Sequence, residues 1–180
     1  HQAGGLGIIH RYNSIEKQAG FINDALYGEE RIARPIVGAA VGITGDFEER
    51  SRALFDAGAQ ILCVDVAHGH HVLVERAIKS LKDIFGDKAH IMAGNIATLK
   101  GFNDLADWGA DSIRCNIGGG SICSTRIQTG HGVPGLQTIF ECARSDRDVK
   151  IIADGGLRFS GDIVKAIAAG ADFVMLGSLL

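Results

Sequence analysis

Apolar residues in this chain fall into two alternating kinds of block. Short, nearly unbroken apolar runs recur, as in Val37-Gly38-Ala39-Ala40-Val41, Ile61-Leu62-Cys63-Val64 and Ile151-Ile152-Ala153. Between them lie longer stretches with apolar residues at helical spacing, clearest at Val74, Ala77, Ile78, Leu81 and Ile84. Read in order, the pattern predicts a short buried strand ending at His10 and a helix over 15–26 with Ser14 as its N-cap. Pro35 opens a strand over 36–42, and Thr44 or Asp46 caps a helix that Gly58 ends. Strands are then expected over 61–66, 90–93, 112–117, 150–153 and 173–176. Helices are expected over 72–85, from Thr98 to near Trp108, from Pro134 to about Arg144, and from Ser160 to Ala169.

Strands that are apolar throughout, rather than at every second position, belong to parallel sheets covered on both faces. Unbroken strand–helix alternation points the same way. A weak repeat strengthens the reading: Gly58-Ala59-Gln60, Gly109-Ala110-Asp111 and Gly170-Ala171-Asp172 each stand between a helix and a strand. One βα unit reused in this way is expected of a (β/α)8 TIM barrel, here incomplete, with about seven parallel strands. An open doubly wound sheet is the alternative. Its glycine fingerprint follows the first strand, whereas Gly118-Gly119-Gly120 stands late in this chain and lacks that spacing.

Composition narrows the partners. The chain has 180 residues, enough for one domain with a real core, and a net charge of −3. That charge offers no electrostatic case for nucleic acid or an anionic membrane surface. No apolar run reaches the length of a membrane span, and no signal peptide is visible. Cys63 and Cys115 sit inside apolar runs and read as reduced core residues of a cytoplasmic protein. The start at His1 and the stop at Leu180, just after an apolar run, are expected of a segment of a longer chain.

Candidate chemistry collects where strands end, the face on which a (β/α)8 barrel carries its active site. His10, Asp65, Asn95, the 118–125 loop, Asp154-Gly155-Gly156 and Gly177-Ser178 all hold such positions. Consecutive glycines suit a close backbone approach to a ligand, and Cys123 stands just past three of them as a potential nucleophile. Gly155, Gly156, Gly177 and Ser178 can present backbone N–H groups to a phosphate, with Ser121 or Ser178 adding a hydroxyl. Asp65 and Asp154 are suited to the hydroxyls of a ribose. His68, His70 and His71 lack a further ligand at metal-site spacing, so a metal there is not expected.

With these residues in place the chain resembles the IMP dehydrogenase/GMP reductase family. The likeness rests on Gly5-Leu6-Gly7-Ile8-Ile9-His10, Asp65-Val66-Ala67-His68-Gly69-His70 and Ala93-Gly94-Asn95. It continues through Gly118-Gly119-Gly120-Ser121-Ile122-Cys123-Ser124-Thr125, Ile152-Ala153-Asp154-Gly155-Gly156 and Met175-Leu176-Gly177-Ser178-Leu179-Leu180. The resemblance implies a barrel, usually tetrameric, in which Cys123 attacks C2 of a purine nucleotide and Thr125 is a catalytic hydroxyl beside it. It implies that Ser121, Asp154, Gly155, Gly156, Gly177 and Ser178 bind the nucleotide. Asp65, Asn95 and Arg114 would lie along the nicotinamide cofactor, and carbonyls of Gly118, Gly120 and Cys123 would face a potassium ion. The implied reaction is NAD-dependent oxidation of IMP to XMP. The alternatives are NADPH-dependent reduction of GMP to IMP and ammonia, or a nucleotide-binding module without catalysis. Residues 1–180 would then be a partial catalytic barrel without the first strand and the C-terminal flap, expected to be inactive by itself. Two positions depart from the family pattern: Asn116 replaces a usual glycine, and Gly119 replaces a usual proline or serine, which is expected to loosen the loop.

Overall fold

The computed structural model describes residues 5–28, 35–177 and 179. Its strands are β1 (Gly7–Ile9), β2 (Val37–Val41), β3 (Ile61–Asp65), β4 (His90–Ile96), β5 (Ser112–Cys115), β6 (Lys150–Asp154) and β7 (Phe173–Met175). The helices are α1 (Ile15–Tyr27), α2 (Phe47–Asp56), α3 (Val72–Phe85), α4 (Leu99–Asp107), α5 (Thr125–Thr129), α6 (Gly135–Cys142) and α7 (Ser160–Ala168). All seven strands are parallel and pair in chain order, so the expected barrel strands and their alternating helices are present. Among the described residues β1 and β7 are the two ends of the sheet.

Residue parity divides the core in two, because successive side chains of a strand point to opposite faces. Leu62, Val64, Ile91, Ala93, Ile113, Cys115, Ile151 and Ala153 face the helices and form the larger cluster with residues such as Ile22, Leu54, Ile78, Leu81, Phe102 and Ile139. The alternate positions Ile61, Cys63, Met92 and Ile152 form a smaller cluster inside the curve of the sheet, joined by Ile8 and Met175. Gly38 belongs to this inner face. A Cβ there would stand 2.3 Å from Ile8 Cδ1 and 3.0 Å from Ile61 Cβ, so its absence lets the inner layer close.

The Gly-Ala-(Asp/Gln) repeat has one structural task performed three times. Gly58, Gly109 and Gly170 adopt φ of 106°, 108° and 113°, where a side chain is strained. The following Ala59, Ala110 and Ala171 are buried and donate their N–H groups back to Leu54, Leu105 and Ala166, closing α2, α4 and α7. The third residue then caps the strand before it. Gln60 Oε1 accepts from Val37 N at 2.9 Å, Asp111 Oδ2 from Ile91 N at 2.6 Å, and Asp172 Oδ2 from Ile151 N at 2.8 Å.

Three expectations need correction. β1 is not buried: Gly7 is exposed and Ile8 and Ile9 are half-buried, because an end strand has a neighbour on one side only. β4 continues beyond residue 93 to Ile96, since the 66–69 segment keeps bonding to it through Asn95 N to Val66 O (3.0 Å) and Gly69 N to Asn95 O (2.7 Å). Asp46 precedes α2 as expected, but its carboxylate pairs with Arg50 Nη2 at 2.7 Å instead of capping the helix. Ser14 does cap α1, its hydroxyl accepting from Lys17 N at 3.3 Å. The Arg50 side chain also donates to Gln18 Oε1 at 2.7 Å, and Gln18, fully buried, donates to Ala40 O at 2.9 Å. This chain of bonds ties α2 through α1 to β2.

Candidate active site

Parity places the first site residues. Asp65, Arg114 and Asp154 stand two positions beyond Cys63, Ser112 and Ile152, so they share the inner face at the C-terminal end of the sheet. Arg114 is the centre of this group. Its Nη2 donates to Asp65 Oδ1 at 2.6 Å, and its Nη1 lies 3.8 Å from Asp154 Oδ2. Burial disfavours its charge, but the opposing fields of Cys63, Asp154 and Asp65 more than offset this and hold it protonated. Gly94 opens the path across β4, for a Cβ there would meet Arg114 Cβ at 2.7 Å and Arg114 O at 2.9 Å.

Asn95 follows at the end of β4. Its Nδ2 donates to Asp154 Oδ2 at 2.7 Å and to Asn116 O at 2.9 Å. Both amide protons are therefore committed inside the protein, and Oδ1 is what remains for a ligand. Asp154 keeps its second carboxylate oxygen free of Asn95.

The loop after β5 carries Cys123, the candidate nucleophile. It turns at Gly118 (φ 84°), and Cys123 N closes it onto Gly120 O at 3.2 Å. Cys123 is half-buried, with Sγ 3.3 Å from Thr125 Oγ1. The Thr125 hydroxyl is the main cause of a thiol pKa held below its usual value; the backbone N–H groups of Thr125 and Gly118 and the charge of Arg126 add to it. Arg126 is held in place by two glycines. Cβ atoms at Gly118 and Gly132 would lie 2.4 and 2.7 Å from its Cγ. The remaining described cysteines differ: Cys63, Cys115 and Cys142 are buried, and burial pushes the Cys63 thiol up to about 11 and raises that of Cys115.

The loops after β5 and β6 touch. A Cβ on Gly155 would be 3.4 Å from Gly120 Cα, and one on Gly156 would be 2.8 Å from Gly119 O. Cys123 and Asp154 thus share one end of the sheet. Both glycines have φ near 75° (77° and 75°), which turns the backbone sharply beyond Asp154. Gly155 N donates to Met175 O at 3.2 Å, tying this turn to β7 and to Gly177 just past it. Beside the turn is a cavity of about 270 Å3, bordered by Asn116, Gly119, Gly135, Asp154, Gly156 and Lys165 among others. Ser121 is exposed in the same loop as Cys123, and His10 follows β1 directly at this end. Ser178 lies outside the described residues.

Carbonyl oxygens of Gly118, Gly120 and Cys123 are hard, neutral donors of the type potassium accepts. That of Gly120 already receives the Cys123 amide and retains one lone pair. Among the described residues no group of three His, Cys, Asp or Glu side chains is placed to hold a metal. His70 instead meets Asp104, Nε2 to Oδ2 at 2.7 Å. No helix among the described residues is long and apolar enough to cross a membrane.

Sequence reasoning passed over Gly94 and the short helix α5 (Thr125–Thr129). Gly94 does stand in the quoted Ala93-Gly94-Asn95 motif, yet its partner Arg114 is 20 positions later and only the strand register joins them.

Residues 1–180 match the IMP dehydrogenase / GMP reductase domain family. The inosine-5'-monophosphate dehydrogenase of Nitrosopumilus maritimus is 49% identical over 154 residues, 84% of this chain and 32% of that protein. The GMP reductase of Leishmania donovani is 51% identical over 180 residues, 98% of this chain and 36% of that protein. Among solved structures, a GMP reductase variant from Trypanosoma brucei superposes with a TM-score of 0.77 at 49% identity, over 81% of this chain and 33% of that one. The chain spans about a third of the length of these curated relatives (32% and 36%). It belongs to the IMP dehydrogenase/GMP reductase family of oxidoreductases.

Proposed function

We propose that residues 1–180 are part of one catalytic barrel in which the Cys123 thiolate attacks C2 of a purine nucleotide, and that the reaction is oxidation of IMP to XMP. The observation that carries this reading is a cysteine with a depressed thiol pKa, backed by Thr125, on the rim that also holds Asp154, Gly155 and Gly156. Asp154, through the oxygen not used by Asn95, accepts from the ribose hydroxyls. The Gly156 N–H, with Gly177, Ser178 and Ser121, holds the phosphate, while the Gly155 N–H is taken by Met175 O and fixes the turn.

The thiolate forms a bond to C2, and the C2 hydrogen departs with its electron pair. Asp65, Asn95 and Arg114 would line the nicotinamide end of NAD, which would supply the acceptor for that hydride. A thioimidate then joins C2 to Sγ. Water adds to C2, one of its protons passing to the purine ring nitrogen and the other to solvent, the C–S bond breaks, and XMP leaves with the thiolate restored. Thr125, within hydrogen-bond reach of Sγ, stabilises the thiolate at the start and again as it leaves. Potassium, when held by the Gly118, Gly120 and Cys123 carbonyls, would supply charge that orders the loop. A homotetramer in the cytoplasm fits this reading.

A second reading is favoured by the 51% identity to the Leishmania donovani GMP reductase: reduction of GMP to IMP and ammonia with NADPH. A solved Trypanosoma brucei relative is described in complex with guanosine 5'-monophosphate. The full-length protein decides between the two. With IMP and NAD, reduced cofactor is formed and intact mass shows a purine nucleotide adduct on Cys123. Consumption of NADPH with GMP, and no reaction with IMP and NAD, would replace the first reading by the second. Neither reaction would leave a binding module.

A further inference from the structure

We propose that Asn116 is a positioning residue that locks the Cys123 loop to the nucleotide-binding turn after β6, and that Gly119 is its required partner. The inference rests on the proposed function for what the two loops do, and on geometry for how they are joined.

Asn116 has a φ of 155°, outside the range that residues with a Cβ adopt freely. Its side chain is nevertheless buried, at 5% exposure, in the space between the two loops. Nδ2 donates to Asp154 O at 2.8 Å and to Gly155 O at 3.3 Å, the peptide units immediately before the 155–156 turn is complete. Two carbonyl acceptors fix which end of the amide faces them and leave Oδ1 buried without a partner. The Asn116 carbonyl receives Asn95 Nδ2, which also binds the Asp154 carboxylate. One residue therefore connects β4, β5 and β6 at the rim.

Gly119 provides the room. A Cβ there would fall 2.2 Å from Asn116 Nδ2 and 2.5 Å from Oδ1, so the amide lies directly against the Gly119 Cα. From the other side a Cβ at Gly135 would be 3.3 Å from Nδ2. Any side chain at 119 must displace either the amide or the loop, and Gly119 is four residues before Cys123. The loop's glycine is thus a seat for Asn116, and the position of the thiol over the nucleotide depends on it.

The test uses the full-length protein with Asn116→Gly, Gly119→Ser and the double variant. Glycine at 116 removes the amide and relieves the backbone, so the fold should be retained and the melting temperature should not fall. Turnover per titratable Cys123 should drop about tenfold to a hundredfold, the effect of small misplacement of a reacting group, while nucleotide affinity changes by less than about threefold. Gly119→Ser should lose at least as much. Added to Asn116→Gly, the same serine should cost little more, since the amide it collides with is gone. Unchanged turnover in Asn116→Gly, or a lowered melting temperature with turnover per site intact, would overturn the positioning role. Full additivity of the two losses would overturn the partnership. The rate of Cys123 alkylation by iodoacetamide reads the loop without any substrate. It should change in Gly119→Ser and return in the double variant to the Asn116→Gly value; no change in either single variant overturns the inference. A wild-type protein inactive on both substrate pairs would refute the functional reading alone, and alkylation would still decide this one.

Discussion

A thiol becomes a nucleophile through the groups that stabilise its anion, and the described cysteines of this chain separate on that criterion. Cys123 has the Thr125 hydroxyl and the N–H groups of Thr125 and Gly118 around it, whereas Cys63, Cys115 and Cys142 are buried, with the first two raised. At neutral pH, brief treatment of the native protein with iodoacetamide should therefore modify Cys123 ahead of these three, as read by peptide mass. The sign of the Thr125 effect follows from the same bond. The hydroxyl favours the thiolate, so Thr125→Val should move the midpoint of the alkylation-versus-pH curve upward and slow modification at pH 7. A midpoint that stays in place or falls would remove Thr125 from this role. Cys123→Ala should abolish turnover while nucleotide affinity remains within about tenfold, some 1.4 kcal/mol, because the proposed phosphate and ribose contacts come from other groups. Equilibrium binding of IMP and GMP to that variant measures it. Cys123 was legible as a candidate nucleophile in the sequence because three glycines precede it. Its depressed pKa was not, since that depends on how the 118–125 loop closes on itself through Cys123 N and Gly120 O.

At the scale of elements, the site is a matter of register. Asp65, Gly94 and Arg114 pair across β3, β4 and β5, and the salt bridge from Arg114 to Asp65 crosses over a residue with no side chain. Gly94→Ala would place a methyl group 2.7 Å from Arg114 Cβ and 2.9 Å from its backbone oxygen, neither of which can swing away. Overpacking of this kind costs about 1–3 kcal/mol. The expected result is a lower melting temperature together with, on the proposed function, a raised KM for the dinucleotide, as the Arg114–Asp65 pair is pushed apart. A variant with wild-type stability and KM would show that the strands adjust at this point. The sequence assigned each strand because its residues are apolar throughout, and the end of β4 escaped for a related reason. Gly94-Asn95 has the composition of a turn, and long-range bonds to Val66 and Gly69 on one side and pairing with β5 on the other keep the segment extended to Ile96. The same limit applies to β1, whose apolar residues suggest burial although an end position leaves Gly7 exposed.

Across the whole molecule one unit is repeated, and the repeat was visible before its purpose was. Helix, glycine, alanine and a side-chain acceptor recur at 58–60, 109–111 and 170–172, but nothing local reveals that the acceptor reaches an N–H in the first two residues of the preceding strand. That contact exists only once neighbouring strands are parallel and in register. The three glycines share a positive φ, so each pays a similar conformational penalty on substitution by alanine, about 1–2 kcal/mol. Their surroundings differ. A methyl at Gly109 would lie 3.2 Å from Lys82 Cγ, part of a long side chain whose stem can shift. At Gly170 it would lie 2.4 Å from Ala143 Cβ, a methyl fixed to the backbone at the end of α6, so α6 and α7 must separate. Gly170→Ala should therefore destabilise the protein more than Gly109→Ala, by about 1–3 kcal/mol of added overpacking. Chemical denaturation of the two variants of the full-length protein, followed by helical circular dichroism, compares them directly. Equal losses would mean that backbone conformation alone governs these turns and that the helices on this side of the sheet yield without resistance.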